Sequence, residues 1–277
     1  MSGPFGTCWE RIDRAQSHSE TIAQTWNAFA HKEEEPPYEA NAYVHDDGTG
    51  SIWVEQILPI PLQIPLLLGE FMYQLRATLD TCVYEAACLN TGQRPPPDEN
   101  QLGFPICCKG RPQFDSSRRK IAPLTEQQRN IIESVQPYNA PELSPHHIPF
   151  NFNLGLGLLN EWARIDRHRK LHVAASWASN IVPLLQIPPG TRLVEFQVPH
   201  GMFMLKDQGV VATFRIEGWQ HGMKVYANPN LTLDIVVDEV PLPRHDVDTL
   251  ANRLLCMRKA VWCVVASIAN TFGFEPP

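Results

Sequence analysis

Between two proline-punctuated links the chain carries one long proline-free run, "LLLGEFMYQLRATLDTCVYEAACLN", Leu66 to Asn90. At roughly 100° per residue its Phe71, Met72, Leu75, Leu79, Cys82, Val83 and Ala86 fall on a single arc, which predicts an amphipathic helix with a continuous buried stripe. A helix of this length constrains the fold more than any other feature, because its stripe must be covered. Glu70, Tyr73, Arg76, Asp80 and Tyr84 share the opposite face. That polar ladder is either solvated, with Arg76 and Asp80 as an i,i+4 pair, or one side of a polar seam against a second helix.

The second helix is "NFNLGLGLLNEWARIDRHRKLHVAASWASNIV", read as one helical stretch broken near Lys170. Leu158, Leu159, Trp162 and Ile165 define its apolar arc, and Asp166 and Arg169 lie inside it. Arg164, Arg167 and His168 point to the other side. A buried carboxylate without a partner costs several kcal/mol, so Asp166 is expected to find Arg169, another arginine or backbone N–H groups. The seam would join Tyr73, Arg76 and Asp80 to Asn160, Arg164, Asp166, Arg167 and Arg169.

Around these two segments the pattern alternates between helix and sheet. Residues from Thr7 to Lys32 repeat at helical spacing until "KEEEPP" stops them, and "YEANAYVHDDGTGSIWVEQI" reads as a hairpin about its glycines. "TGQRPPPDENQLGFPICCKGRPQFDSSRRKIAPL" lacks periodicity and is expected to be a long surface loop, ordered only at "FPI". "TEQQRNIIESVQ" is a short helix with Thr125 as N-cap and Pro137 beyond its end. From Thr191 to Val240 alternation predicts an antiparallel sheet, and "RHDVDTLANRLLCMRKAVWCVVASIANTF" a closing helix. The expected class is α+β: a helical core with an N-terminal hairpin and a later antiparallel sheet, closed by a C-terminal helix. One compact domain over 1–277 is expected. The fallback divides the chain into a mainly helical 1–187 and a sheet with C-terminal helix over 188–277.

Composition narrows the function. A net charge of -7 gives no bulk attraction to DNA, so a nucleic-acid contact would need a local basic patch. "ILPIPLQIPLLLG" is broken by Pro59, Pro61 and Pro65, so no membrane span is expected, and the start lacks the layout of a secretory signal. The seven cysteines are an odd number without a C-x-x-C pair, which fits reduced thiols in a cytoplasm. Adjacent His146 and His147 lack metal-ligand spacing, "GLGLLN" lacks a phosphate-loop ending, and no G-x-S-x-G occurs. Neither a metal nor another cofactor is expected. Trp219, His221 and Tyr226 fit either a ligand-lining surface or half-buried strand positions, and the second is the expectation.

"LRATLDT", "FPI", "QPY" and "IDRHR", in that order between Leu68 and Leu171, resemble the L-R-x-x-L-D-H helix, F-P-I segment, Q-P-Y turn and I-D-K-H-R helix of a widespread group of uncharacterised bacterial proteins. The resemblance implies a shared architecture rather than a chemistry. The group's first motif in turn resembles the arginine-to-histidine motif of HEPN-type ribonucleases. There the histidine acts as acid or base towards a 2′-hydroxyl and the arginine stabilises the phosphate. Here Arg76 is present, but Thr81 stands where the histidine would be and cannot shuttle protons near neutral pH. His168 would have to substitute. The expected function is therefore a non-catalytic binding or interaction module with a structural polar seam. The alternative is a metal-independent ribonuclease using Arg76 and His168. RNA, another protein or a second copy of the chain are the partners compatible with the sequence.

Overall fold

The computed structural model describes residues 3–32, 34–140, 152–168, 173–178, 184–198, 202–205, 208–228, 233–237 and 249–277. The chain is α+β. Its contacts divide it into a helical unit (Met1–Ala23, Pro65–Leu171, Ala251–Pro277) and a sheet unit (Gln24–Ile64, His172–Leu250). Each is assembled from separated stretches of chain.

The helical unit is organised by α1 (Gly6–Ala30), which contributes its residues up to Ala23, and α2 (Gln63–Thr91) from Pro65 onward. The stripe expected on α2 is the core: Phe71, Met72, Leu75, Leu79, Cys82, Val83 and Ala86 are all at most 1% exposed. Each large apolar side chain removed from water stabilises by roughly 1.5–3 kcal/mol. Cys8, Ile12 and Ala15 of α1 are buried as well. Cys8 Sγ donates to Thr78 O at 3.8 Å, Arg11 Nη1 donates to Gln74 Oε1 at 3.1 Å, and His18 Nδ1 lies 3.5 Å from Glu70 Oε2. Numbers rise along α1 as they fall along α2, so the two helices run antiparallel.

The segment after α2 is more ordered than its lack of periodicity suggests. A helical turn at Glu99–Gln101, α3 (Arg111–Ser117) and a turn at Arg118–Ile121 carry it, and Phe104, Cys107, Phe114, Ile121 and Leu124 anchor it. Those anchors recur at neither helical nor strand spacing, so no pattern announces them. α4 (Glu126–Ser134) starts where expected: Thr125 caps it in a full capping box with Gln128. After a helical turn at Pro137–Asn139, α5 (Phe152–His168) buries Leu156, Leu159 and Trp162, and α6 (Leu250–Asn270) buries Leu254, Met257, Val261 and Val264.

The sheet unit corrects one sequence expectation. The sequence predicts helix on both sides of a break near Lys170, up to Val182; α5 ends at His168, close to that break, but Val173–Ala178 is a strand, β3. β3 is paired on both sides, with β6 (Met202–Leu205) and β9 (Leu233–Val237), so ladders of backbone hydrogen bonds along both edges outweigh local helix preference. β4 (Leu184–Gln186) pairs with β8 (Tyr226–Asn228).

The N-terminal hairpin, β1 (Tyr38–Val44) and β2 (Thr49–Gln56), does not stand alone. It extends the later sheet in the order β1-β2-β7-β5, with β7 spanning Gln208–Glu217 and β5 Arg192–Gln197, all antiparallel. Gly48 makes the join possible. Its φ is +79°, and a Cβ there would stand 2.2 Å from Ile216 O of β7, so no other residue fits the turn. In the same unit the end of α1 packs on β1 through Phe29 and Tyr38, whose rings meet edge to face at 6.1 Å. No helix of the described residues is long and apolar enough to cross a membrane.

Candidate functional site

A groove of about 650 Å³ opens in the helical unit, and three helices line it. Arg14 and His18 come from α1, Leu66, Glu70 and Tyr73 from α2, and Asp166 from α5. On α1, Arg11, Arg14 and His18 recur at i, i+3 and i+7, which places them on one polar face beside the buried stripe. The sequence carried that signal, but with α1 read for its apolar spacing alone it went unused.

Asp166 is half-buried. Its approach to α2 depends on Gly69: a Cβ on that glycine would stand 2.7 Å from Asp166 Oδ2, closer than atoms pack. Among the described residues no donor reaches the carboxylate. Burial therefore pushes its pKa up from the ordinary aspartate value, with nothing opposing the shift. The second carboxylate of the groove is differently placed, since Glu70 lies against the His18 ring. Tyr73 is 64% exposed and Leu66 68%, and they stand one turn either side of Gly69 and Glu70.

The other seam residues take separate places. Arg76 Nη2 lies 3.8 Å from Asp80 Oδ1, and its Nη1 is buried without a hydrogen-bond partner among the described residues. Burial pulls the Arg76 guanidinium below its ordinary pKa; Asp80 opposes that shift and the nearby Arg167 charge adds to it. Asp80 Oδ1 also accepts the Phe104 N–H at 2.8 Å. Arg164 is exposed and forms a two-point pair with Glu161, while Arg167 is exposed and its Nε donates to Ala163 O at 3.1 Å. Asn160 is half-buried on α5. Arg169, His146, His147 and the His168 side chain lie outside the described residues.

The four segments "LRATLD", "FPI", "QPY" and α5 meet in this unit. Gln136, fully buried, accepts the Cys107 N–H at 2.8 Å and donates to Pro105 O at 3.0 Å and Ile132 O at 2.8 Å. Asn153 at the start of α5 donates to Ser134 O and Gln136 O. Pro137 would lie 3.4 Å from a Cβ on Gly157, so α5 passes close by that turn. Here the polar side chains hold backbone together.

In the sheet unit, a shallow depression is lined by Asp46, Arg192, Glu195, Arg215 and Trp219, a mixture of both charge signs. The half-buried strand expectation fails for these residues: Trp219, half-buried, and His221 follow the end of β7 rather than sitting in a strand, His221 and Tyr226 are exposed, and His221 Nδ1 lies 3.1 Å from Asp46 Oδ1. Among the described residues no group of three or more His, Cys, Asp or Glu side chains is placed to hold a metal ion. No family model, curated protein or solved structure matches the chain.

Proposed function

We propose that this chain is a non-catalytic binding module and that the groove between α1, α2 and α5 is its site. One observation carries the reading: Asp166 is held half-buried at the groove with no donor among the described residues, at a standing cost to the fold. Binding sites are where proteins tolerate such a cost, because a ligand supplies the missing partner. The resemblance to a bacterial group is compatible with this reading and adds no chemistry to it. A reducing, cytoplasmic setting goes with it, in that all seven cysteines are unpaired.

The ribonuclease alternative needs Arg76 free to meet a phosphate with His168 beside it. The described neighbours of Arg76 are Asp80, which also holds the Phe104 N–H, and Arg167. Those contacts favour a structural use of the arginine. The test has two parts. Thermal unfolding is screened against a library of small polar metabolites for the wild type and Asp166→Asn, and purified protein is incubated with mixed RNA, with and without a chelator. A ligand that raises the melting temperature of the wild type but not of the variant is the expected result, together with intact RNA. Cleavage that disappears in a folded His168→Ala protein would overturn the proposal.

A further inference from the structure

We infer that the groove takes an organic cation, a primary ammonium or guanidinium group on a short aliphatic stem, with the Asp166 carboxylate as its counter-ion. The inference rests on the groove being a binding site and names what it binds.

Charge placement comes first. Of the two carboxylates lining the groove, Glu70 is matched by His18 at 3.5 Å, which leaves Asp166 as the one without a positive partner among the described residues. Arg14 also lines the groove but is exposed, so water and salt screen its charge, whereas the half-buried Asp166 is screened less. An incoming anion would meet that carboxylate at close range; a cation relieves it. Burial raises the Asp166 pKa, and a cation placed against the carboxylate would favour its charged form.

Shape comes second. Leu66 and Tyr73 lie one turn to either side of Gly69 on α2, both about two-thirds exposed at 68% and 64%. The bare glycine between them is where Asp166 Oδ2 approaches the helix, within 2.7 Å of a would-be Cβ. Along one helix face this sets an apolar surface for a stem, a carboxylate for a charged head and a ring whose face attracts cations. A hard metal ion fits less well, since it wants about six oxygens and no such cluster exists among the described residues.

Butylammonium and butylguanidinium are the probes, with butyrate and 1-pentanol as anionic and neutral counterparts, titrated into the full chain at low ionic strength and followed by NMR. The two cations should bind with dissociation constants on the order of 1 mM, as small fragments do. Asp166→Asn should weaken them roughly tenfold to a hundredfold, the value of a charge-assisted contact. Tyr73→Phe should leave them unchanged while Tyr73→Ala weakens them. Should Asp166→Asn fail to fold, Gly69→Ala, which displaces the carboxylate, serves the same purpose. Acetylated lysine and arginine methylamides carry the same head groups on a peptide: tighter binding of these marks a basic side chain of a partner protein, tighter binding of the free bases a small amine. Butyrate or pentanol shifting the lining resonances in place of the cations overturns the cation assignment and leaves the groove a binding site. Silence at the lining for all four probes overturns the inference, and the groove reading falls with it only if the metabolite screen is silent too.

Discussion

The Asp80 carboxylate accepts the main-chain N–H of Phe104 at 2.8 Å, tying the middle of α2 to a segment that has no repeating pattern of its own. Gln136 holds the same segment one and three residues further on, through Pro105 O and the Cys107 N–H. Backbone groups in a nonrepetitive buried segment lack a helix or sheet to bond them, so side chains must do it. The short motifs of the sequence supply those side chains: "LRATLD" gives Asp80, "QPY" gives Gln136, and "FPI" is what they hold.

Gln136→Ala should therefore lower stability by about 2 to 4 kcal/mol, because it strands a buried N–H and two carbonyls at once. Urea unfolding should show a lower midpoint at unchanged slope. Gln136→Glu keeps the acceptor but replaces the donor by a charge, so its penalty at neutral pH should shrink on acidification, when the introduced carboxyl regains a proton to donate. A penalty that does not change with pH would show that water reaches the site.

The Arg76 and Asp80 pair calls for the opposite expectation. At 3.8 Å, with 26% and 49% of the two side chains exposed, it is a weak ion pair. A double-mutant cycle on Arg76→Met and Asp80→Asn should give a coupling below about 0.5 kcal/mol. Asp80→Asn alone should cost about 1 kcal/mol through the weakened Phe104 bond. Coupling above about 2 kcal/mol would mean that the arginine, and not the backbone bond, is what Asp80 is for.

Periodicity revealed what is periodic. The α2 stripe, the Thr125 cap and the hairpin are local, so spacing and turn residues reported them. β3 was missed because its strand identity comes from β6 and β9, neither adjacent in sequence, and the attachment of the hairpin to β7 was missed because Ile216 is distant from Gly48 in the chain. At the site, helical spacing puts Asp166 on the apolar arc of α5, and the structure sets it against Gly69 of α2; that meeting depends on the register of α5 against α2, which spacing along one helix does not contain.

The cysteines should label in a fixed order. Cys108 is exposed, while Cys8, Cys82 and Cys107 are at most 1% exposed, and burial drives the Cys8 thiol up to about 12. Reaction of the native protein with a thiol reagent near pH 8 should modify Cys108 first and leave those three untouched until denaturant is added. All seven should react on unfolding without reductant. A thiol that appears only after reduction would reveal a bridge that the structure lacks.

Asp166→Asn should stabilise the fold slightly at neutral pH or leave it unchanged, although the same substitution weakens cation binding. Desolvation raises the native pKa of Asp166 above its unfolded value, so between the two the folded state holds more protons than the unfolded one. Stability attributable to this group accordingly rises as pH falls through the native pKa toward about 3.9, the ordinary aspartate value, and its cost is fully present above the native pKa. Gains on acidification run against the usual behaviour of paired carboxylates, which lose stability there. The difference in unfolding free energy between Asp166→Asn and wild type should thus be largest near neutrality and shrink toward pH 4. Measured across that range, a variant that is less stable than wild type at neutral pH would mean that Asp166 is paired in solution, and the groove reading would fall with it.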